Sequence, residues 1–380
     1  MNSDSMEVFA TDLSEVPIGP YHPLFPQGLK LRVSVDGEVI SGIMIESGFQ
    51  HRGLEKAIER QPWHAGIMYA DRLDPEAAAS AELALCLAVE SISGVEVPKR
   101  AQVVRIILAE LNRISSHLGF LAKMARAVGA MTLSHYVLRD RERFLDLFEL
   151  LTGSRFSFCF LRFGGVSADV TEGFVERVLE ACDLIRMRLK EYNDLLTYNH
   201  AFVARTHGLG VISETLAKKW SLSGPNARAS GLDRDLRRDE PYSGYERYDL
   251  ANPLTTKSSD FVRLGDTHGR FVLRLMEIEQ SVSLLRQATE SLPRGEFRNE
   301  QIGQSFVPPE GETLVEVETP RGVLGCHVVS TGAEKPHRVQ FQGPSLQSLA
   351  AFREIVIGER FEDLSVILSG LDISLSEVDR

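Results

Sequence analysis

Residues 98–121 read PKRAQVVRIILAELNRISSHLGFL, and this stretch decides the fold. Pro98 suits the first turn of a helix, where a missing N–H has no partner to lose. Val103, Val104, Ile107, Leu108, Leu111, Ile114, Leu118 and Leu121 recur at helical spacing and make one broad apolar stripe. Glu110, Arg113 and His117 are spaced i, i+3, i+7 and share a second face. Two readings of that face stay open. It is either a solvated, salt-bridged surface or the lining of a site where charge moves, with His117 the group able to change charge near neutral pH.

Downstream, the pattern predicts further helices over about 134–152 and 171–197, the second with Thr171, Glu172 and Glu176 near its N-terminus. Another is expected over 260–292. Upstream, residues 63–93 read as mostly helical, interrupted near Asp74-Pro75 because proline disfavours helix in the residue before it. Together these predict an antiparallel helical bundle. Small β elements flank it. Residues 29–46 read as a hairpin turning at Asp36-Gly37, and residues 312–342 as a β-meander turning at Pro320-Arg321-Gly322. A capped helix over 345–357 follows. The expected class is α+β. Its expected parts are a loose arm (1–18), a loop and small β region (19–50), a bundle core (51–295) with a long loop at 221–256, and a C-terminal α+β segment (296–380) opening on a polar linker.

The 380 residues carry 42 Lys and Arg against 53 Asp and Glu, a net charge of −11 that argues against nucleic acid as a partner. Cys86, Cys159, Cys182 and Cys326 are far apart, so no CxxC thiol pair is present to build a zinc or iron–sulfur site; reduced core cysteines are expected. No apolar run reaches the roughly 18–20 residues that span a membrane, and the polar, acidic start does not read as a signal peptide. The chain shows no Walker loop, GxGxxG or HExxH. Composition and pattern alone do not name a function.

Several phrases do carry a resemblance. In order they are GPYHP (19–23), HRGLEK (51–56), DRLD (71–74), VPKRAQ with LAELNRISSHL (97–118), GAMT (129–132), RFGGVSAD (162–169), SGPNARASG with DLRRDEPYSGY (223–245), TPRGVLG (319–325) and LDISLSEVDR (371–380). In this order and spacing they resemble the D subunit of proton-pumping NADH:quinone oxidoreductase, respiratory complex I. That family is homologous to the large subunit of membrane-bound [NiFe] hydrogenases. The resemblance covers about residues 19–380.

It implies a helical bundle with flanking β regions that binds no cofactor itself. The family packs against a small subunit holding a [4Fe–4S] cluster, and the two form a quinone cavity above a membrane arm. Further peripheral-arm subunits and a membrane-arm subunit are the other implied partners, at the cytoplasmic face of the membrane. Arg52 and Arg72 match cluster-facing cations, and His117 matches a histidine that couples a proton to cluster reduction. Cations beside a cluster stabilise its reduced form, and an adjacent imidazole gains a proton when an electron arrives. His22, Phe25, Gln27 and Asp74 are the implied cavity lining.

The chain departs from the family at the quinone end. The second His of the family's GPQHPSTHG loop is missing, with Pro26 or Gln27 nearest. The family tyrosine is Pro75, and the aspartate that pairs with the lost His falls at Ala127. The hydrogenase branch fares no better: its nickel ligands fall at Asp74, Ala77, Ser374 and Glu377, none a cysteine. Two functions therefore remain in view. One is a quinone-module subunit of a complex I-like oxidoreductase coupled to proton translocation. The other is a structural, coupling subunit of a hydrogenase-related complex that lacks both nickel and the usual quinone residues.

Overall fold

The computed structural model describes residues 14–253, 265–303 and 305–380. Strands β1 (Ser14–Ile18), β2 (Lys30–Asp36) and β3 (Val39–Glu46) form an antiparallel sheet in that order. In β2, Leu31, Val33 and Val35 are buried and alternate with Lys30, Arg32 and Ser34, the period-two signature of a half-buried strand. The stretch 1–18 was expected to be a loose arm. Its last five residues instead pair with β2, from Ser14 opposite Val35 to Ile18 opposite Leu31. Val16 and Ile18 point to the same face of the strand, and β2 offers it a free edge. Residues 1–13 lie outside the described residues.

Two short helices, α1 (Leu54–Glu59) and α2 (Trp63–Ala70), lead to α3 (Ala78–Ser93), with the helix break falling at Asp74-Pro75 as the sequence predicts. Helix α4 (Lys99–Ala127) carries the opening stretch, with Pro98 as its N-cap. It packs against α5 (Met131–Thr152), α3 and the later elements of the bundle. Of the two readings of its polar face, the solvated one fails. Arg105, Glu110, Arg113 and His117 are as buried as Leu111 and Ile114. The helix is enclosed on all sides, and its charges meet partners supplied by other segments.

After the two-residue strands β4 (Leu161–Arg162) and β5 (Gly165–Val166), α6 (Phe174–Tyr192) begins later than expected. Gly173 is left-handed (φ 76°) and breaks the helix before Thr171 and Glu172 can join it. A single π-helical turn, Asn193–Thr197, extends it, followed by α7 (His200–Thr206) and α8 (Glu214–Lys219).

The predicted long loop 221–256 holds short helical turns, α9 (Gly224–Ala229), α10 (Leu236–Asp239) and a 3₁₀ turn, Tyr245–Arg247. These turns place Asn226, Arg228 and Arg237 in the interior. The loop lacks helical periodicity because its buried side chains are charged; they are held by ion pairs and not by an apolar stripe. Residues 254–264 lie outside the described residues, and with them the expected start of the last bundle helix, α11 (Thr267–Glu290). Asp266 caps α11 by accepting from the Gly269 N–H at 2.7 Å.

The meander is present as β6 (Glu310–Glu318), β7 (Val323–Thr331) and β8 (Arg338–Gln342), antiparallel in chain order. Helices α12 (Ser345–Ile355), α13 (Leu364–Leu371) and α14 (Leu375–Asp379) close the chain. The polar linker is stitched to the RFGG segment, since Val166 N–H donates to Phe297 O at 3.0 Å and Asn299 N–H donates to Gly164 O at 2.8 Å. Two of the quoted phrases meet at glycines. A Cβ on Gly224 of SGPNARASG would lie 2.4 Å from the Cα of Gly322 of TPRGVLG. The backbones can approach this closely only without side chains.

Candidate functional site

Two layers of buried charge occupy the interior. The inner layer is built on α4. His117 Nε2 lies 3.0 Å from Glu277 Oε2 on α11. Arg228 from α9 donates to Glu277 Oε1 through Nε (3.0 Å) and Nη2 (2.7 Å), and to Glu318 Oε1 through Nη1 (2.7 Å). Arg237 from α10 pairs with Asp235 (2.7 Å) and Glu110 (3.1 Å). Glu110 also accepts from the Tyr245 hydroxyl (2.7 Å) and the Ser281 hydroxyl (2.6 Å). Arg113 donates to the carbonyls of Glu318 (2.6 Å) and Thr319 (2.9 Å) at the end of β6.

Burial works to raise Glu277, but Arg228, His117 and Arg113 overcome it and hold the carboxyl well below its usual range. For His117 burial wins. It pulls the imidazole down, and the hydrogen bond to Glu277 only partly offsets it. A neutral His117 beside an ionised Glu277 carries its proton on Nε2, and its Nδ1 has no hydrogen-bond partner among the described residues. The site therefore holds an open, buried proton acceptor.

The outer layer centres on Arg321, in the turn between β6 and β7. Its guanidinium pairs with Asp74, with Glu76 (2.7 Å) and with Asp372 (3.5 Å). Asp74 also accepts from the Ser374 hydroxyl (3.2 Å) and the Glu76 N–H (3.2 Å). Glu377 accepts from the Ser345 hydroxyl at 2.8 Å. Burial and the neighbouring Asp74 charge push Glu377 up to about 7 against the pull of Arg321. Arg274, stacked 4.1 Å over Phe120, is attracted by both Asp372 and Glu277 and links the layers.

The sequence-derived residues fall into three places. His22 and Phe25 pack their rings edge-on at 5.1 Å in the 19–28 loop, and Gln27 O accepts from Gln50 Nε2 at 2.6 Å. Gln50 N–H in turn donates to Asp379 (2.8 Å), and Arg52 donates to the Ser376 hydroxyl (2.9 Å). The C-terminal segment thus ties the loop and Arg52 to Asp74, through Ser374. Asp74 itself is buried and engaged by Arg321. Arg72 is partly exposed, 3.4 Å from Asp71. His117 lies apart from all of these in the inner layer.

Sequence reasoning missed Arg228, Arg237, Glu277, Glu318 and Arg321. One signal was available. Arg270, Arg274 and Glu277 are spaced i, i+4, i+7 within an otherwise apolar run, which is one face of a helix.

The nickel-ligand positions of the hydrogenase branch do converge, but they do not fit a nickel centre. Asp74 and Ser374 are hydrogen-bonded to each other, and Glu377 feels the charge of Asp74. They supply no thiolate, and Asp74 is already paired with the Arg321 cation. Among the described residues no group of three or more His, Cys, Asp or Glu is placed to hold a metal ion.

In the comparison with solved structures, a chain of the membrane-bound sulfane sulfur reductase, an archaeal respiratory membrane complex, superposes with a TM-score of 0.92. It is 30% identical, with 98% of this chain and 100% of that one covered. The fold is thus that of a large subunit from a multisubunit oxidoreductase. The D subunit of the NADH-quinone oxidoreductase of Geotalea uraniireducens is 38% identical over 98% of this chain and 100% of its own length. Its counterpart in Desulforamulus reducens is 40% identical over 95% of this chain and 97% of its own length. Residues 127–304 and 300–380 match the family described as "Respiratory-chain NADH dehydrogenase, 49 Kd subunit", and the chain belongs to that family. It is a subunit of a complex I-like oxidoreductase. Among the described residues no helix is long and apolar enough to cross a membrane.

Proposed function

We propose that this chain forms, with a small subunit bearing a [4Fe–4S] cluster, the cavity where electrons pass from that cluster to quinone, and that it transmits the charge change towards proton translocation. Other peripheral-arm subunits and a membrane-arm subunit would hold it at the cytoplasmic face of the membrane. The observation that carries the reading is the buried His117–Glu277–Arg228 chain, whose neutral imidazole keeps Nδ1 free to take a proton. An electron arriving nearby favours protonation of His117, and the ionised Glu277 holds the resulting imidazolium in place. Arg52 and Arg72, both at the surface, are the cations offered to the cluster. His22, Phe25 and Gln27 line the cavity mouth, and Asp74 sits behind it.

The state of Asp74 favours a second reading. With Arg321 on its carboxylate, and with Pro75 and Ala127 in place of the family's hydrogen-bonding groups, the site offers few donors to a quinone headgroup. In this reading the chain is a structural, coupling subunit. Quinone reduction by the purified native complex, with iron and nickel quantified in the same sample, separates the two. Iron without nickel together with inhibitor-sensitive quinone reduction supports the first reading. Iron with no quinone reduction supports the second.

A further inference from the structure

Behind Arg72 lies a pair of carboxyls that the proposed function does not use. Asp71 ends α2 and Glu82 sits on α3; both are fully buried. The backbone between α5 and β4 wraps over them. Phe160 N–H (2.9 Å) and Leu161 N–H (2.8 Å) both donate to Glu82 Oε2, and Phe158 N–H (3.2 Å) donates to Asp71 Oδ1. Glu82 Oε1 has no donor among the described residues, and the amides of Phe158 and Phe160, two residues apart, hold the two carboxyls side by side. Two ionised carboxylates in that geometry would repel. One carboxyl protonated on Oε1 satisfies every atom, since Glu82 O–H donates to Asp71 and the three N–H groups take the remaining oxygens.

We propose that Asp71 and Glu82 are a one-proton site, with Glu82 Oε1 as donor and Asp71 as acceptor, whose occupancy follows the charge at the surface marked by Arg72. The second half rests on the reading that a partner's cluster lies against that surface. The proton is exchanged with water when that charge changes, and no bond other than O–H is made or broken.

The surroundings suit this role. Arg72, on the same turn, is the cation in direct contact with Asp71, at 3.4 Å, and its partly exposed side chain links the pair to the surface. Arg162 and the Cys159 thiol face the pair from the β4 side, and the Cys86 thiol lies one turn beyond Glu82 on α3. The Arg105–Glu90 ion pair lies beyond Cys86 and is neutral overall. Burial, opposed chiefly by Arg72, raises Asp71 to about 6. Burial and the Asp71 charge raise Glu82 to about 8. The shared proton is therefore exchangeable near neutral pH.

Infrared difference spectra of the native complex between pH 6 and pH 9 test the pair. A protonated-carboxyl C=O band should be lost on going to pH 9; it should be absent from the Glu82→Gln complex and shifted in frequency, with a lowered midpoint, in the Asp71→Asn complex. Arg72→Gln, a change at a partly exposed position, should move the band's midpoint upward by a tenfold or greater change in proton affinity. A redox titration of the partner's cluster in the same samples tests the coupling. Its potential should fall with pH across the band's midpoint in the wild type and fall less steeply in Glu82→Gln. A band that survives unchanged in both carboxyl variants overturns the one-proton site. Should those variants not assemble, a midpoint that Arg72→Gln leaves unmoved overturns it. A normal band with an identical pH dependence of potential in Glu82→Gln overturns the coupling alone. A complex that contains no cluster refutes the proposed function and the coupling, while the band still decides the pair.

Discussion

Replacing Arg228 by methionine keeps much of the side-chain volume and removes one guanidinium that serves two buried carboxylates, Glu277 and Glu318. Glu277 is left with neutral His117 and the more distant Arg113 and Arg274. Breaking a buried pair from one side costs about 3–5 kcal/mol, because the stranded charge has no water. The stranded carboxylate escapes by taking a proton. For an ordinary glutamate at pH 7 that costs about 3–4 kcal/mol, and the cost falls by about 1.4 kcal/mol for each pH unit below 7.

In the wild type, Glu277 is depressed, so its contribution is complete above the unfolded glutamate value and is lost only as pH falls through its low folded value. Between pH 7 and pH 5 the wild type is therefore insensitive to Glu277. The variant binds an extra proton in the folded state and gains stability as pH falls. Urea unfolding followed by the fluorescence of Trp63 and Trp220 should show R228M destabilised by about 3–4 kcal/mol at pH 7 and by only about 1 kcal/mol at pH 5. A penalty of the same size at both pH values, or one below about 1 kcal/mol at pH 7, would refute the claim that Arg228 neutralises buried carboxylates.

Arg105 pairs with Glu90 at 2.6 Å and donates to the carbonyls of Arg162 and Gly165. Arg105→Met should cost about 3–5 kcal/mol, and adding Glu90→Gln should restore part of that loss in a double-mutant cycle by urea unfolding. Glu377 has its folded value raised to about 7, so the folded state binds a proton that the unfolded state releases above about 4.5. Stability should fall as pH rises through that window, and unfolding midpoints at pH 5, 6, 7 and 8 should show a shallower decline in Glu377→Gln. A Cβ on Gly343 would lie 1.4 Å from Glu377 Oε1, so Gly343→Ala should lower stability by about 1–3 kcal/mol as Glu377 is displaced, again read from the unfolding midpoint. His22→Ala should lower the quinone reductase rate of the native complex under the first functional reading and leave the assembly intact by gel filtration.

Periodicity located the elements whose buried faces are apolar. The central helix, the β2–β3 hairpin and the meander are all legible in alternation or 3.6-residue spacing, because burial of Leu31, Leu111 or Val328 leaves a regular mark. The 221–256 stretch was opaque for the opposite reason. Arg228 and Arg237 are buried through partners far away in the chain, Glu277 and Glu110, and pairings of that kind leave no local pattern. The same blindness affected the α4 polar face, since Glu110, Arg113 and His117 look alike whether water or Arg237 stands opposite. Strand β1 was missed because only two of its residues alternate and its partner lies beyond an intervening loop. At the site, the quoted phrases pointed to Arg52, Arg72 and His117 one at a time. Their arrangement, with His117 enclosed and Arg52 fastened to the C-terminal segment, depends on tertiary contacts.

The end of β6 carries Glu318 in the inner layer, the turn after it carries Arg321 in the outer one, and their partners are drawn from residues 74, 76, 113, 228 and 372. Contacts of such long sequence separation form slowly, because large loops must close before they gain anything. During synthesis, Asp74 and Arg113 are made long before the turn that gives Asp74 its cation and Arg113 its acceptor carbonyls. They must remain hydrated until the meander and the Asp372 segment have emerged. The bundle can therefore seal its interior only when nearly the whole chain is available, which makes this turn a late checkpoint of folding as well as a junction of charge.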